Sequence, residues 1–305
     1  MTAAHAVSAR TRFWLGSALA LVSSVTFSLN LALARLSYDS GANALAVNLV
    51  RVAFLVLCLY IFLKASGRPT ALPRRERTLC FLLGLVWAVQ VIGLLVAIAF
   101  IPVGLAVLTY YTYPLLIAVM AAAMGRERLT IPSLALMVLA FVGLIISLQV
   151  PKGTLDWRGV ALALISALSM ASVMTLSERF IHGRDSRTVT LHIMLAVLGV
   201  LVLMALAGSA LSWPTDFIGW AAVAGAAIFL ALAITTLFMA IGMIGPLRTS
   251  MIDNGSPVWS ILFAAILLGE MLSPLQLSGT VLVIAAIVGN QVLHHRQART
   301  HAANS

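Results

Sequence analysis

Charge is what this chain most conspicuously lacks. Asp, Glu, Lys and Arg make up 9% of its 305 residues, against roughly 25% in an ordinary soluble protein. That is too little to solvate a globular surface, so a soluble enzyme or binding module is excluded. Cysteine is almost absent. Cys58 and Cys80 lie in apolar stretches and fit neither a CxxC pair nor a zinc spacing, so both read as small core hydrophobes. No GxxxxGK[ST] loop is present, which argues against ATP-driven transport within the chain. Neither an HExxH site nor a nucleophile motif appears, which argues against an intramembrane enzyme. Adjacent His294 and His295 cannot share a helical face as metal ligands would. No enzyme activity, cofactor or metal is expected. Long polar connectors are missing too: the longest, near 65–77, has about a dozen residues. A receptor or assembly factor would usually need a larger region outside the membrane.

Apolar sequence fills the space that charge leaves. Hydrophobic residues make up 62% of the chain, in runs long enough to cross hydrocarbon. Ten spans can be drawn, at 13–36, 42–64, 78–100, 102–124, 131–149, 157–180, 188–207, 217–241, 244–268 and 274–293. At 1.5 Å per residue each reaches about 28–39 Å. The first follows Arg10 and Arg12 and ends in Ala32-Leu33-Ala34, which imitates a cleavable signal peptide. It is too long for one, and is expected to be retained. Thr130 and Ser273 stand where N-caps are needed, with Pro132 and Pro274 in the turns that follow.

The formal net charge of +10 would suggest nucleic acid in a soluble protein. Here the basic residues lie mostly in connectors, and no nucleic-acid partner is expected. With the N-terminus inside, one set of connectors holds fourteen Lys and Arg and the other three, Arg35, Lys152 and Arg158. The positive-inside bias places both termini in the cytoplasm, with a bacterial inner membrane as the expected location.

A shift of 143 residues aligns the chain with itself. Trp14, Gly16 and Ser23 fall on Trp157, Gly159 and Ser166; Pro114, Glu127 and Leu129 fall on Pro257, Glu270 and Leu272. Matching Ala and Leu is cheap in lipid, but one gapless offset joining Trp, Gly, Pro and Glu is not. The expected fold is therefore all-α and integral to the membrane, with ten transmembrane helices in two five-helix repeats. These are 13–149 and 157–293, flanked by a cytoplasmic N-terminus (1–12) and tail (294–305). An odd number of spans per repeat inverts the second half. Inverted repeats of this kind rock about a shared midplane site in secondary transporters.

The stretches AFIPVGLAVLTYYTYPLLIAVMAAAMGRERLT and MAIGMIGPLRTSMIDNGSPVWSILFAAILLGEMLS resemble the signature halves of the EamA family, in the drug/metabolite transporter superfamily. The similarity runs from about Trp14 to Asn290. Its most specific parts are Pro114, Pro257, the turns at Glu127 and Glu270, and Arg51 in the second span. The resemblance implies ten helices, a central cavity between the halves, and export or exchange of amino acids or related metabolites. The chain departs from the family pattern at Thr26-Phe27-Ser28, where a Trp-Gly pair is common, and at Asp253, where an acidic residue is unusual.

Polar side chains deep in a span are functional candidates by default. Arg51 lies roughly 14 Å into the second span. It suits a substrate carboxylate or, alternatively, a structural partner. Asp253-Asn254, before Gly255 and Pro257, can pair with a substrate ammonium or carry a coupling proton; a salt bridge to Arg248 or Arg51 is the alternative. The 143-residue shift sets this pair on Tyr110-Tyr111, as a site on a pseudo-twofold axis requires. Of Tyr110, Tyr111 and Tyr113, at most two can share a helical face. Tyr110 and Tyr113, three apart, are the pair chosen. Trp87, Gln90 and Trp259 add aromatic and amide groups near the same depth. Asn30, a weaker candidate, and Asn48 suit interhelical hydrogen bonding as well as binding. His192 reads as a satisfied helix-end residue, and Glu127 and Glu270 as ties for the connectors. The expected partner is a small-molecule substrate bound by a monomer or homodimer, with proton coupling left open.

Overall fold

An unpaired backbone N–H or C=O costs several kcal/mol in hydrocarbon, so apolar runs of this length must close their bonds within themselves as helices. The computed structural model of the protein describes residues 9–97, 100–101, 103–125, 130–148, 156–181, 184–208, 210–268 and 273–303. Those residues form α1 (Ala9–Asp39), α2 (Ala44–Ala65), α3 (Arg74–Ala97), α4 (Val103–Tyr110), α5 (Tyr113–Ala123), α6 (Ile131–Leu148), α7 (Trp157–Ile181), α8 (Ser186–Leu206), α9 (Phe217–Ile244), α10 (Pro246–Asp253), α11 (Ser256–Leu268) and α12 (Pro274–Ala303). Among the described residues there is no strand. Within the described residues seven segments are long and apolar enough to cross a membrane, and Ile131–Ser147 and Pro274–Gly289 are shorter apolar helices. Large apolar side chains face outward: Phe217 is 86% and Leu206 78% exposed. Small polar ones face inward, with Ser24, Ser28, Thr249 and Ser250 fully buried. That is the inverse of a soluble surface and suits lipid.

The fourth and ninth runs differ from the continuous spans expected at 102–124 and 244–268. Each is broken in two, α4–α5 at Tyr111-Thr112 and α10–α11 at Asn254-Gly255. Pro114 and Pro257 supply the reason. Neither has an N–H to give the carbonyl four residues back, Tyr110 in one case and Asp253 in the other. The 143-residue shift carries α4 onto α10 residue for residue, and the start of α5 onto the start of α11.

The packing obeys the same exchange. α1 packs on α9 as α3 packs on α7, α2 on α9 as α3 on α8, and α1 on α10 and α11 as α7 on α4 and α5. The pairs α2–α8 and α6–α12 map onto themselves. Close approach repeats as well. A Cβ on Gly16 would lie 2.5 Å from Ile244 and 2.9 Å from Met243, while one on Gly159 would lie 2.8 Å from Ile101 and 3.0 Å from Phe100. The two sets of neighbours are themselves 143 residues apart.

The connectors pair across the halves with different chemistry at each end. At one end the α1–α2 and α8–α9 connectors join through neutral groups. Asn43 N–H donates to Ser212 O at 3.0 Å, Asn43 Nδ2 to Ala210 O at 2.6 Å, and Thr215 N–H to Ser40 O at 2.9 Å. At the other end the connectors are ionic. Arg68 pairs with Asp185, and Arg184 with Glu76 at 2.9 Å. The ionic end carries the basic connectors identified from sequence.

Helix starts follow side-chain capping. Asn43, Asp185 and Asp216 accept from Ala46, Arg187 and Gly219 N–H. Ser273 and Gln276 form a reciprocal capping box, with bonds of 3.1 and 2.9 Å. Thr130 does not cap as expected: its hydroxyl is buried without a hydrogen bond. Only its carbonyl serves the helix, accepting from Leu134 N–H. Glu127 and Glu270 lie outside the described residues.

Candidate functional site

The two breaks meet at the middle of their segments, where α5 packs on α10. The Tyr113 hydroxyl donates to Asp253 Oδ2 at 2.8 Å. Ser256 Oγ donates to Asp253 Oδ1 at 3.3 Å and shares a 3.1 Å hydrogen bond with Ser24 of α1. Ser28, one turn further along α1, donates to the Ser256 carbonyl at 2.7 Å. Hydroxyls from both broken segments thus meet one carboxylate, and two serines of α1 hold the Ser256 that serves it. Asp253 is partly exposed, whereas Tyr113 is fully buried. No ion pair joins Asp253 to Arg248 or Arg51 among the described residues. Arg248 instead lies over the Phe13 ring, 6.0 Å from its centroid.

The three tyrosines form one aromatic cluster, with ring centroids 5.4–6.0 Å apart. Helical phase cannot sort them, because residues 111 and 112 form a turn and α5 begins a new phase. Beside the cluster, a small cleft lies between α5, α6, α12 and the second break. Tyr111, Pro114, Met137, Phe141, Met251 and Asn254 are among its lining residues. Tyr111, set aside on sequence grounds, lines this cleft, while Tyr110 and Tyr113 do not. Asn254 is its equivalent under the 143-residue shift. Its Oδ1 is buried without a hydrogen-bond partner. The cleft holds about 10 Å³ of free space, about the room one water needs. A larger solute can enter only after the surrounding helices part.

The remaining candidates occupy other places. Trp87 stacks on Phe238 of α9 at 5.7 Å, and Gln90, one turn along α3, is buried. Trp259 is half-buried on α11, outside the tyrosine cluster. Arg51 bonds between α1 and α2, with Nη1 donating to Asn30 Oδ1 at 2.8 Å and Nη2 to Asn48 Oδ1 at 2.5 Å. Its Nε is buried without a partner. His192 is buried, with Nδ1 2.9 Å from the Thr188 carbonyl. The hydroxyl chain through Ser24, Ser28 and Ser256 has no counterpart in the sequence reading. Its only sign there was Ser28 in the triplet that departs from the family pattern.

Arg51 allows a direct test. A lysine ammonium cannot span both asparagines as the guanidinium fork does. Arg51→Lys is therefore expected to lower stability by about 1–3 kcal/mol, the cost of leaving a buried acceptor unpaired. Thermal unfolding in detergent checks this, with solute affinity expected to stay unchanged. Unaltered stability with lost affinity would make Arg51 a ligand for substrate.

Comparison with known proteins agrees with this architecture. A solved structure described as "Crystal structure of protein" superposes with a TM-score of 0.79 at 20% identity, covering 92% of this chain and 98% of that one. At that identity the likeness shows the fold alone. Among curated proteins, none matches the chain. The model of the EamA-like transporter family matches twice, over residues 14–149 and 157–290. Two matches covering most of the sequence, on a chain whose described residues form no strand and include seven membrane-length apolar segments, make this protein a member of the EamA-like transporter family.

Proposed function

We propose that the protein is a secondary transporter that exports or exchanges a small polar or amphiphilic metabolite, of the class that includes amino acids and related amines, by alternating access. In this reading α4–α5 and α10–α11 each count as one crossing, giving ten transmembrane segments in two inverted fives. Both termini lie in the cytoplasm of a bacterial inner membrane. The observation that carries the reading is the Tyr113–Asp253 hydrogen bond, which joins two segments that are broken at equivalent points of the repeat. Breaks of this kind expose backbone and side-chain polar groups at the midplane, where transporters bind their solutes. The near-absence of free space beside them fits a closed state, from which rocking of the halves opens one side at a time.

Flux into liposomes containing the purified protein tests the proposal. Counterflow of at least one amino acid, nucleoside or small amphiphile is expected to exceed that of empty vesicles. If none moves faster, and substitutions at Tyr113 or Asp253 change nothing, the transporter reading fails.

A further inference from the structure

The groups at the breaks are unequal in their hydrogen-bonding sense. Acceptors are plentiful: the Asp253 carboxylate, the unpartnered Oδ1 of buried Asn254, and the Tyr110 and Asp253 carbonyls that Pro114 and Pro257 cannot serve. Two of the hydroxyl donors beside them, on Tyr113 and Ser256, already serve Asp253. No cation answers the carboxylate among the described residues. Arg51 is held by Asn30 and Asn48, and Arg248 lies over Phe13. A carboxylate within a membrane-spanning segment and without a positive partner is costly unless a ligand or a proton supplies one.

We infer that the solute recognised here is an organic cation, a primary or secondary ammonium on an apolar body, without a carboxylate of its own. The inference rests on the transporter reading of the same breaks. An ammonium offers N–H donors to Asp253 and Asn254 and brings the missing charge. Tyr111, the member of the tyrosine cluster that lines the cleft, supplies a ring that attracts a cation, and Met137, Phe141 and Met251 supply apolar wall for the rest of the molecule. An amino acid zwitterion would have to bring its carboxylate up to Asp253, with only neutral donors, the Tyr111 hydroxyl and the Asn254 amide, and no cation to receive it.

Equilibrium binding to the full-length protein in detergent, followed by calorimetry, separates the possibilities with three probes of one shape. Phenethylamine is a cation, phenylalanine a zwitterion and 3-phenylpropionate an anion at neutral pH. Phenethylamine is expected to bind at least tenfold more tightly than either of the others, and Asp253→Asn is expected to abolish that preference. Should that variant fail to fold, the ranking of the three probes on the wild-type protein decides. Equal or tighter binding of phenylalanine or 3-phenylpropionate overturns the inference. So does sodium chloride alone giving the same heat, or a preference for phenethylamine that survives Asp253→Asn. Flux distinguishes this from failure of the underlying reading. A protein that carries phenylalanine as well as the amine remains a transporter and refutes only the amine assignment. One that binds the amine but moves nothing refutes transport and leaves the site.

Discussion

Asp253→Asn is expected to cut carrier flux at low solute concentration by about 10- to 100-fold, while the protein still folds. The substitution keeps the shape of the side chain and one of the two oxygens that accept from the Tyr113 and Ser256 hydroxyls, at 2.8 and 3.3 Å. It removes the charge and turns the other oxygen into an amide donor, which a hydroxyl can still accept by rotating. A hydrogen bond to a charged group is worth about 1.5–3 kcal/mol, and each 1.4 kcal/mol is tenfold in affinity, which gives the stated range. Tyr113→Phe should do less, because it removes one donor and leaves the carboxylate. Combined with Asp253→Asn it should add little, since two groups joined by one bond do not act independently. Initial-rate counterflow in proteoliposomes, normalised to folded protein, reads both effects. Full flux in Asp253→Asn would move the site away from the second break.

The second large effect concerns the scaffold. Gly84 on α3 faces α8 so closely that a Cβ would lie 2.3 Å from the Ile193 carbonyl oxygen and 2.6 Å from Ala196. The carbonyl is backbone within a helix and cannot swing aside. Gly84→Ala should therefore force the two helices apart and cost about 1–3 kcal/mol, as overpacking does. Gly199, further along α8, is the internal control, because a Cβ there meets nothing within 4 Å. Gly199→Ala should be neutral or raise stability by up to about 1 kcal/mol through helix propensity. Thermal unfolding of both variants in one detergent compares them. An equal response at the two positions would contradict the α3–α8 packing.

Much of this fold was legible because a duplication leaves marks that apolar composition cannot hide. Trp, Gly, Pro and Glu recurring at one offset announced two equivalent halves. The packing adds the same exchange between α1–α9 and α3–α7. Asp253 stood out because a charge within a span needs a physical reason. The helix breaks were half legible. Gly255 and Pro257 pointed to weakened backbone in the ninth run, but Pro114 without a neighbouring glycine gave no such warning in the fourth. Tyr111 was hidden for the same reason, since a face argument assumes one uninterrupted helix. Asn48, three residues before Arg51 on α2, was within reach of a spacing argument, but Asn30 was hidden because side chains on two helices, α1 and α2, had to meet. Sequence spacing says nothing about pairs across elements. Thr130 shows the limit of cap signatures: residue type and a following proline were right, and the hydroxyl still found no partner.

Alternating access at the two breaks is the central claim, and a single cysteine at Asn254 tests it most directly. Cys58 and Cys80 would first be replaced by alanine, leaving Asn254→Cys as the only thiol. The variant would then be reconstituted with known orientation and exposed to a membrane-impermeant maleimide from either side. Labelling from each side in turn is expected, with reagent applied first on one side blocking later reaction from the other. Labelling from one side only, whatever solute is present, would contradict a site that opens alternately to both.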